Sequence, residues 1–308
     1  MFFRKKISKQ RLKVLIFLVL VITASISSCS AIKEILRIFH TVHKNTIELK
    51  VMTYNIYRKN SNDPDERRWA NRRDQVVNNI KNCSADVFGV QEAYRSQVNF
   101  LLDQLPNYNW YGVGRNDGNN SGEHCAIFYR KDRFHVESEG TFWFSETPDI
   151  PSKGGDNWGN PAHKRICSWV QLIETDTKKA FYFYNLHLAH DSHIARKRSV
   201  ELLGERINIR NNQDNSFIAV GDFNAKPTNE EILYLTDDLC YIDSYANTNE
   251  NLEDGYTFVG WSGEIKKRID YIFTHSEALL TTSYVVKRDG SDHFPVVTKL
   301  LIPIKGSE

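Results

Sequence analysis

The stretch that most constrains the fold is Phe217-Ile218-Ala219-Val220-Gly221-Asp222-Phe223-Asn224-Ala225-Lys226-Pro227. Its first four residues are uncharged and mostly apolar, and Gly221 and Pro227 bound them downstream, so the run reads as a buried strand that ends at Asp222 and Asn224. Side chains two apart in an extended chain point the same way, and these two polar groups therefore share a face. A buried carboxylate is costly unless it is paired, hydrogen-bonded or metal-bound. Two readings follow: Asp222 caps the next turn, or Asp222 and Asn224 form a catalytic pair.

The chain repeats this device. Met52-Thr53-Tyr54-Asn55, Val87-Phe88-Gly89-Val90-Gln91-Glu92, Phe181-Tyr182-Phe183-Tyr184-Asn185-Leu186-His187 and Ile269-Asp270-Tyr271-Ile272-Phe273 are short apolar strands with a polar group at one end. Ser291-Asp292-His293-Phe294-Pro295 precedes a last strand. Asn, Glu, His, Asp/Asn, Asp and Asp-His in this order, from about Leu49 to Ile304, resemble the endonuclease/exonuclease/phosphatase superfamily of metal-dependent phosphoesterases, with the DNase I-like fold.

The resemblance implies a role for each group. Glu92 is the principal metal ligand, helped by Asn55 and Asp292. Asp222 orients or deprotonates the attacking water, and Asn224 holds the phosphate. His293, oriented by Asp270, and His187 bind the phosphoryl oxygens and stabilise the transition state. Carboxylate and amide oxygens are hard ligands that select Mg²⁺ or Mn²⁺ over Zn²⁺, and no Cys/His zinc spacing is present. Taken singly, each residue has a plainer reading: Asn55 a turn residue, Glu92 a charge at a helix start, His187 a satisfied strand histidine, Asp270 an edge-strand residue. The run His187-Leu188-Ala189-His190 departs from the family pattern, in which many relatives carry an Asp between two histidines, so a metal-binding role for His190 stays open.

A chain of 308 residues, 41% hydrophobic and without repeats, can bury one large core. Asp63 with Pro64 predicts a helix start, and Trp69, Val76, Val77 and Ile80 mark one helical face. Val98, Leu101, Leu102 and Leu105 mark a second helix, stopped by Pro106. Strands are expected at 108–113, 125–129, 142–144 and 166–172, with long loops at 112–122 and 148–161. A helix is expected over 194–211, Thr228 with Glu231 predicts a capping box for the next, and strands at 269–273 and 296–302 finish the sheets. The expected fold is α/β (α+β), a four-layer sandwich of two packed mixed β-sheets flanked by helices, with the strand order taken from the resemblance.

The N-terminus reads differently. Arg4, Lys5, Lys6, Lys9, Arg11 and Lys13 precede the apolar run Val14 to Ile22, and Ile26-Ser27-Ser28-Cys29 then presents small residues before a cysteine. This looks like a bacterial lipoprotein signal over 1–28 with Cys29 as the lipidated residue, a tether over 29–48 and the domain proper over 49–308. An ordinary secretory signal and an uncleaved anchor are the alternatives; the apolar run is shorter than the roughly 20 residues a spanning helix needs. The expectation is a monomer, lipid-anchored in the bacterial cell envelope, periplasmic or surface-exposed.

Removing residues 1–28 leaves 34 basic and 38 acidic residues, a net charge of −4, which is not the footprint of a protein that grips nucleic acid by neutralising its backbone. The clusters Arg67, Arg68, Arg72, Arg73 and Arg196, Lys197, Arg198 read as solvated helix faces. Cys83, Cys125, Cys167 and Cys240 match no metal spacing; export permits disulfides among them, and the reading preferred is small buried hydrophobes. Gly221 to Pro227 looks more like the nuclease and deadenylase branches than the inositol phosphatase branch, so a nuclease-like phosphodiester, such as nucleic acid, is the expected substrate. A phospholipid or sphingomyelin head group, an inositol-type phosphate and a non-catalytic surface-binding lipoprotein are the alternatives.

Overall fold

Alternation of side chains along the strands sorts this chain into layers. In the computed structural model, which describes residues 46–303 except 214 and 276, β1 (Thr46–Asn55) sends Leu49 and Val51 to one side and Met52 and Tyr54 to the other. β8 (Ser216–Asp222) does the same with Ile218 and Val220 against Phe217 and Ala219. Both faces are apolar because both are covered, which is why these strands read as continuous apolar runs.

The remaining strands are β2 (Val87–Ala93), β3 (Tyr108–Tyr111), β4 (His124–Arg130), β5 (Phe134–Trp143), β6 (Ile166–Glu174), β7 (Ala180–His187), β9 (Ile242–Asp243), β10 (Asp270–Thr274), β11 (Leu279–Val285) and β12 (Val296–Pro303). They form two six-stranded sheets, in the orders β11-β12-β1-β2-β4-β3 and β5-β6-β7-β8-β10-β9. Each sheet is mixed: β1 and β7 run parallel to β2 and β8, while β4 and β10 are antiparallel to those same partners. The helices are α1 (Trp69–Cys83), α2 (Arg95–Gln104), α3 (His193–Asn208) and the short α4 (Glu230–Leu233) and α5 (Ser244–Thr248).

Three apolar clusters give four layers. Val51, Val87, Ile127, Phe183, Val220 and Ile272 fill the space between the sheets. Val76, Val77, Ile80 and Leu101 of α1 and α2 cover the first sheet, and Val200, Leu203 and Ile207 of α3 cover the second. The expected four-layer α/β sandwich is what the structure shows, and from Ile47 onward the contacts form one unit.

One polar stitch crosses the middle. Asn185 on β7 donates from Nδ2 to the carbonyls of Val90 (3.0 Å) and Ala126 (2.9 Å), and its Oδ1 accepts from Gln91 Nε2 (2.6 Å). Gly89 makes room for it, since a Cβ at Gly89 would lie 2.5 Å from the Asn185 side chain. The sheets are therefore held in a fixed mutual position close to the strand ends.

Several local expectations are corrected. The helix expected at Pro64 begins instead at Trp69, after a 3₁₀ turn over Asp65–Arg67, and Asp63 does not cap it but accepts from Asn60 Nδ2 at 2.9 Å. No capping box forms at Thr228. Asn229 precedes α4 without a side-chain cap, and the Glu231 carboxylate is taken by Arg196 (2.8 Å) and His193 (3.1 Å). The strand expected at 142–144 is the end of the much longer β5, and β9 and β11 were not foreseen. Thr46 to Glu48, assigned to the tether, belong to β1.

Among the arginines expected on solvated faces, Arg72 is buried. It donates to the carbonyls of Ile56, Tyr57 (2.6 Å) and Gly290 (3.1 Å), beneath the rings of Tyr57, Trp69 and Trp261. Cys83, Cys125 and Cys167 are free and buried, whereas Cys240 is free and exposed, contrary to the reading of all four as buried. The signal segment, Cys29 and the rest of the tether lie outside the described residues. Among the described residues no helix is long and apolar enough to cross a membrane.

Candidate active site

Strand register assembles the site. His187 pairs with Asp222 across β7 and β8, and Asp222 pairs with Asp270 across β8 and β10, so three polar residues stand in one row. In the other sheet Asn55 at the end of β1 pairs with Gln91, beside Glu92. Both rows open into a cavity of about 740 Å³, lined among others by Glu92, His187, Asp222, Asn224, Asp292 and His293. Three non-glycine residues lining it have left-handed backbone: Tyr57 at φ 56°, Asn224 at φ 49°, which Asn tolerates, and Glu92 at φ 64°, where the β2–β4 register breaks between Val90 and Ala93. Such strain persists only where the surroundings over-determine it, and it turns the Glu92 carboxylate toward the cavity.

Asp222 is the hub. Its Oδ1 accepts the backbone N–H of Asn224 (2.9 Å) and its Oδ2 accepts from Asn55 Nδ2 (3.0 Å). The Nε2 atoms of His187 and His293 stand 3.5 and 3.7 Å from Oδ2. Burial, and then the charge of Asp270, push Asp222 up to about 7, against the opposing pull of His293.

His293 donates from Nδ1 to Asp270 Oδ2 at 2.8 Å, and the other oxygen of Asp270 is buried without a hydrogen-bond partner among the described residues. Burial alone would lower His293, but the carboxylates of Asp270 and Asp222 outweigh it and raise it to about 10, so the ring carries a proton at neutral pH with Nε2–H aimed at Asp222. His187 is the opposite case. Burial, with Arg165, Arg115 and His293 nearby, holds it well below its ordinary value, and its neutral Nε2 accepts from Asn224 Nδ2 at 3.1 Å. Asn224 Nδ2 also donates to the Leu188 carbonyl, which fixes the amide (3.0 Å).

Asn55 is placed by Tyr57 N–H, which donates to its Oδ1 (3.1 Å), while its Nδ2 reaches Glu92 Oε1 (3.1 Å) as well as Asp222. Its amide nitrogen, not its oxygen, thus faces the carboxylates. Arg58 donates its backbone N–H to Glu92 Oε2 (3.2 Å), with its guanidinium 3.7 Å away. Asp292 is pushed up by burial and by the charge of Glu92, with His293 opposing.

Two acidic sets could hold a cation. Asp222, Asp270 and His293 have ligand atoms within 4.8 Å of one another, but the Nδ1 of His293 is committed to Asp270 and the ring is protonated. Glu92 and Asp292 fit a divalent ion better, because they are oxygen donors whose mutual repulsion in a buried setting such an ion relieves.

Further cavity residues carry no local sign in the sequence: Arg58, Arg115, Glu123, His163 and Arg165, with His190, whose role the sequence left open. Arg115 and Glu123 form a buried ion pair (2.7 Å) across the loop between β3 and β4. An alternating charge eight residues apart in a loop has no periodicity to betray it.

The model of the Endonuclease/Exonuclease/phosphatase family matches residues 52–293. A mannosyl-6-phosphatase from Bacteroides thetaiotaomicron is 33% identical, with 82% of this chain and 100% of that chain covered at a TM-score of 0.74. An endonuclease/exonuclease/phosphatase family protein of the same organism is 32% identical, covering 83% of this chain and 98% of its own at 0.74. An uncharacterized protein of Acanthamoeba polyphaga mimivirus is 28% identical over 275 residues, 81% of this chain and 98% of its own length. With its two mixed sheets, its flanking helices and its strand-end carboxylates and histidines, the chain belongs to the Endonuclease/Exonuclease/phosphatase family of phosphoesterases.

Proposed function

We propose that this chain hydrolyses a phosphoric ester with the help of a hard divalent cation, Mg²⁺ or Mn²⁺, and that Asp222 activates the attacking water. The observation that carries the reading is Asp222 itself: a buried carboxylate raised to about 7, between an imidazolium and two amide donors, at the floor of the cavity. A base poised near neutrality is what general-base attack on phosphorus requires.

Each partner then has a task. The cation, held by Glu92 and Asp292, would neutralise phosphoryl charge as a Lewis acid. Asn55 donates to both Glu92 and Asp222 and so fixes the distance between the cation's ligand and the base. Asn224, whose two amide hydrogens go to the Leu188 carbonyl and to His187 Nε2, holds the neutral His187 ring in place on the cavity wall. His293 presents Nε2–H to the developing negative charge, and Asp270 keeps its ring oriented and protonated. These preorganised donors cost little reorganisation at the moment of reaction.

A nuclease-like diester was the expectation from the sequence, and the 33% identical relative is a mannosyl-6-phosphatase, so a sugar monophosphate stands beside it. A panel of p-nitrophenyl phosphate, bis-p-nitrophenyl phosphate, sugar monophosphates, DNA, RNA and sphingomyelin with Mg²⁺ or Mn²⁺ decides among them. Asp222→Asn is the control. It keeps the shape and removes a buried charge, so kcat should fall by about 10²- to 10⁴-fold while the melting temperature holds or rises. Loss of activity in step with loss of folding would return Asp222 to a structural role.

A further inference from the structure

We propose that Arg165, backed by Arg115 and His190, is a receptor for the additional negative charge of a phosphomonoester, and that it makes this site select terminal monoesters over diesters. The inference rests on the phosphoesterase reading above and adds the substrate class.

Arg165 stands directly before β6 and is 5% exposed. Its Nη2 donates to His190 Nδ1 at 3.0 Å, but Nε and Nη1 are buried with no hydrogen-bond partner among the described residues. No carboxylate lies within ion-pair distance of it among those residues, whereas Arg115 beside it has Glu123 at 2.7 Å. Two guanidinium groups thus face one fully paired carboxylate. A guanidinium stays protonated even when buried, so its charge is not relieved by losing a proton as a lysine's would be.

The place of Arg165 gives that charge a meaning. It lines the main cavity and also the small recess that Glu92, Glu123 and His187 line, so its charge stands within the site. His163 and His190 complete the wall, their rings 6.3 Å apart. Nδ1 of His190 is occupied by the bond from Arg165. The wall therefore holds a guanidinium with two unpartnered nitrogens and no direct carboxylate partner among the described residues.

A phosphodiester brings one negative charge, which a divalent cation at Glu92 and Asp292 would meet. A phosphomonoester above neutral pH brings two, and it has a third unesterified oxygen in place of a second ester arm. The planar fork of Arg165 matches that oxygen and its charge. The monoester gains a charge-assisted contact that the diester lacks.

The test is the ratio of kcat/KM for p-nitrophenyl phosphate and bis-p-nitrophenyl phosphate in the wild type, Arg165→Gln and Arg165→Lys, together with stabilisation of each by inorganic phosphate in EDTA. The wild type should prefer the monoester. Arg165→Gln should lower monoester kcat/KM on the order of 10- to 100-fold more than diester kcat/KM, with Arg165→Lys between them. Inorganic phosphate at pH 8 should raise the melting temperature of the wild type and not that of Arg165→Gln. Removing an unpaired buried charge should leave the unliganded melting temperature unchanged or higher. Equal losses on both substrates, a wild-type preference for the diester, or the same phosphate stabilisation in both proteins would overturn the proposal. If neither ester is turned over, the hydrolase reading fails, and the phosphate titration alone still decides whether Arg165 is an anion receptor.

Discussion

Eight residues singled out at strand ends, Asn55, Glu92, His187, Asp222, Asn224, Asp270, Asp292 and His293, were legible because each interrupts an otherwise apolar run. The structure gathers all of them around one cavity or onto its hydrogen-bonded floor. Arg115, Glu123, His163 and Arg165 were not legible because they come from loops and a strand start, where a charge is ordinary, and they meet only when the sheets pack. At this scale the opposed titrations of Asp222 and His293 predict the pH profile. Activity requires Asp222 without its proton and His293 with one, so kcat/KM should rise as pH passes about 7 and fall as it passes about 10. Asp270 is the strongest influence raising His293. Asp270→Asn should therefore move the alkaline limb down by about one pH unit or more, and lower the melting temperature near neutral pH, where the raised His293 contributes stability through its buried carboxylate partner. An alkaline limb that stays in place would remove Asp270 from the role of holding that proton.

The strands seen from sequence were the central ones and the edge strand β3, and the strands missed were edges. β9 and most of β5 lie at the two edges of the second sheet and β11 at an edge of the first. Edge strands are half solvated and carry polar or charged residues outward, as in Val136-Glu137-Ser138-Glu139 of β5, so no apolar run announces them. The central elements carry their own check. Asn185 is the only group described here that joins β7 to the backbones of both β2 and β4 through its amide. Asn185→Ala should cost about 1–3 kcal/mol by leaving those carbonyls and Gln91 without their partner, read from the urea midpoint. Gly89→Ala should also destabilise, because its Cβ meets the Asn185 side chain. An unchanged midpoint in both variants would show that apolar packing alone sets the mutual position of the sheets.

For the whole molecule, the site exists because the two sheets contribute different halves: the acidic pair and Asn55 from loops and strand ends of the first sheet, the base and the histidines largely from the second. A phosphoesterase built this way should need its cation for turnover and not for folding, since neither Glu92 nor Asp292 belongs to the apolar clusters that join the layers. The most direct measurement is turnover of p-nitrophenyl phosphate by the wild type and Glu92→Gln across a Mg²⁺ or Mn²⁺ titration, with melting temperatures taken alongside. Turnover should vanish in EDTA and return with either ion, and Glu92→Gln should raise the half-saturating concentration about tenfold or more, because even partners outside the ligand shell change metal affinity by that much. Full turnover in EDTA, or an unshifted titration in Glu92→Gln, would contradict a metal-dependent reaction at this cavity.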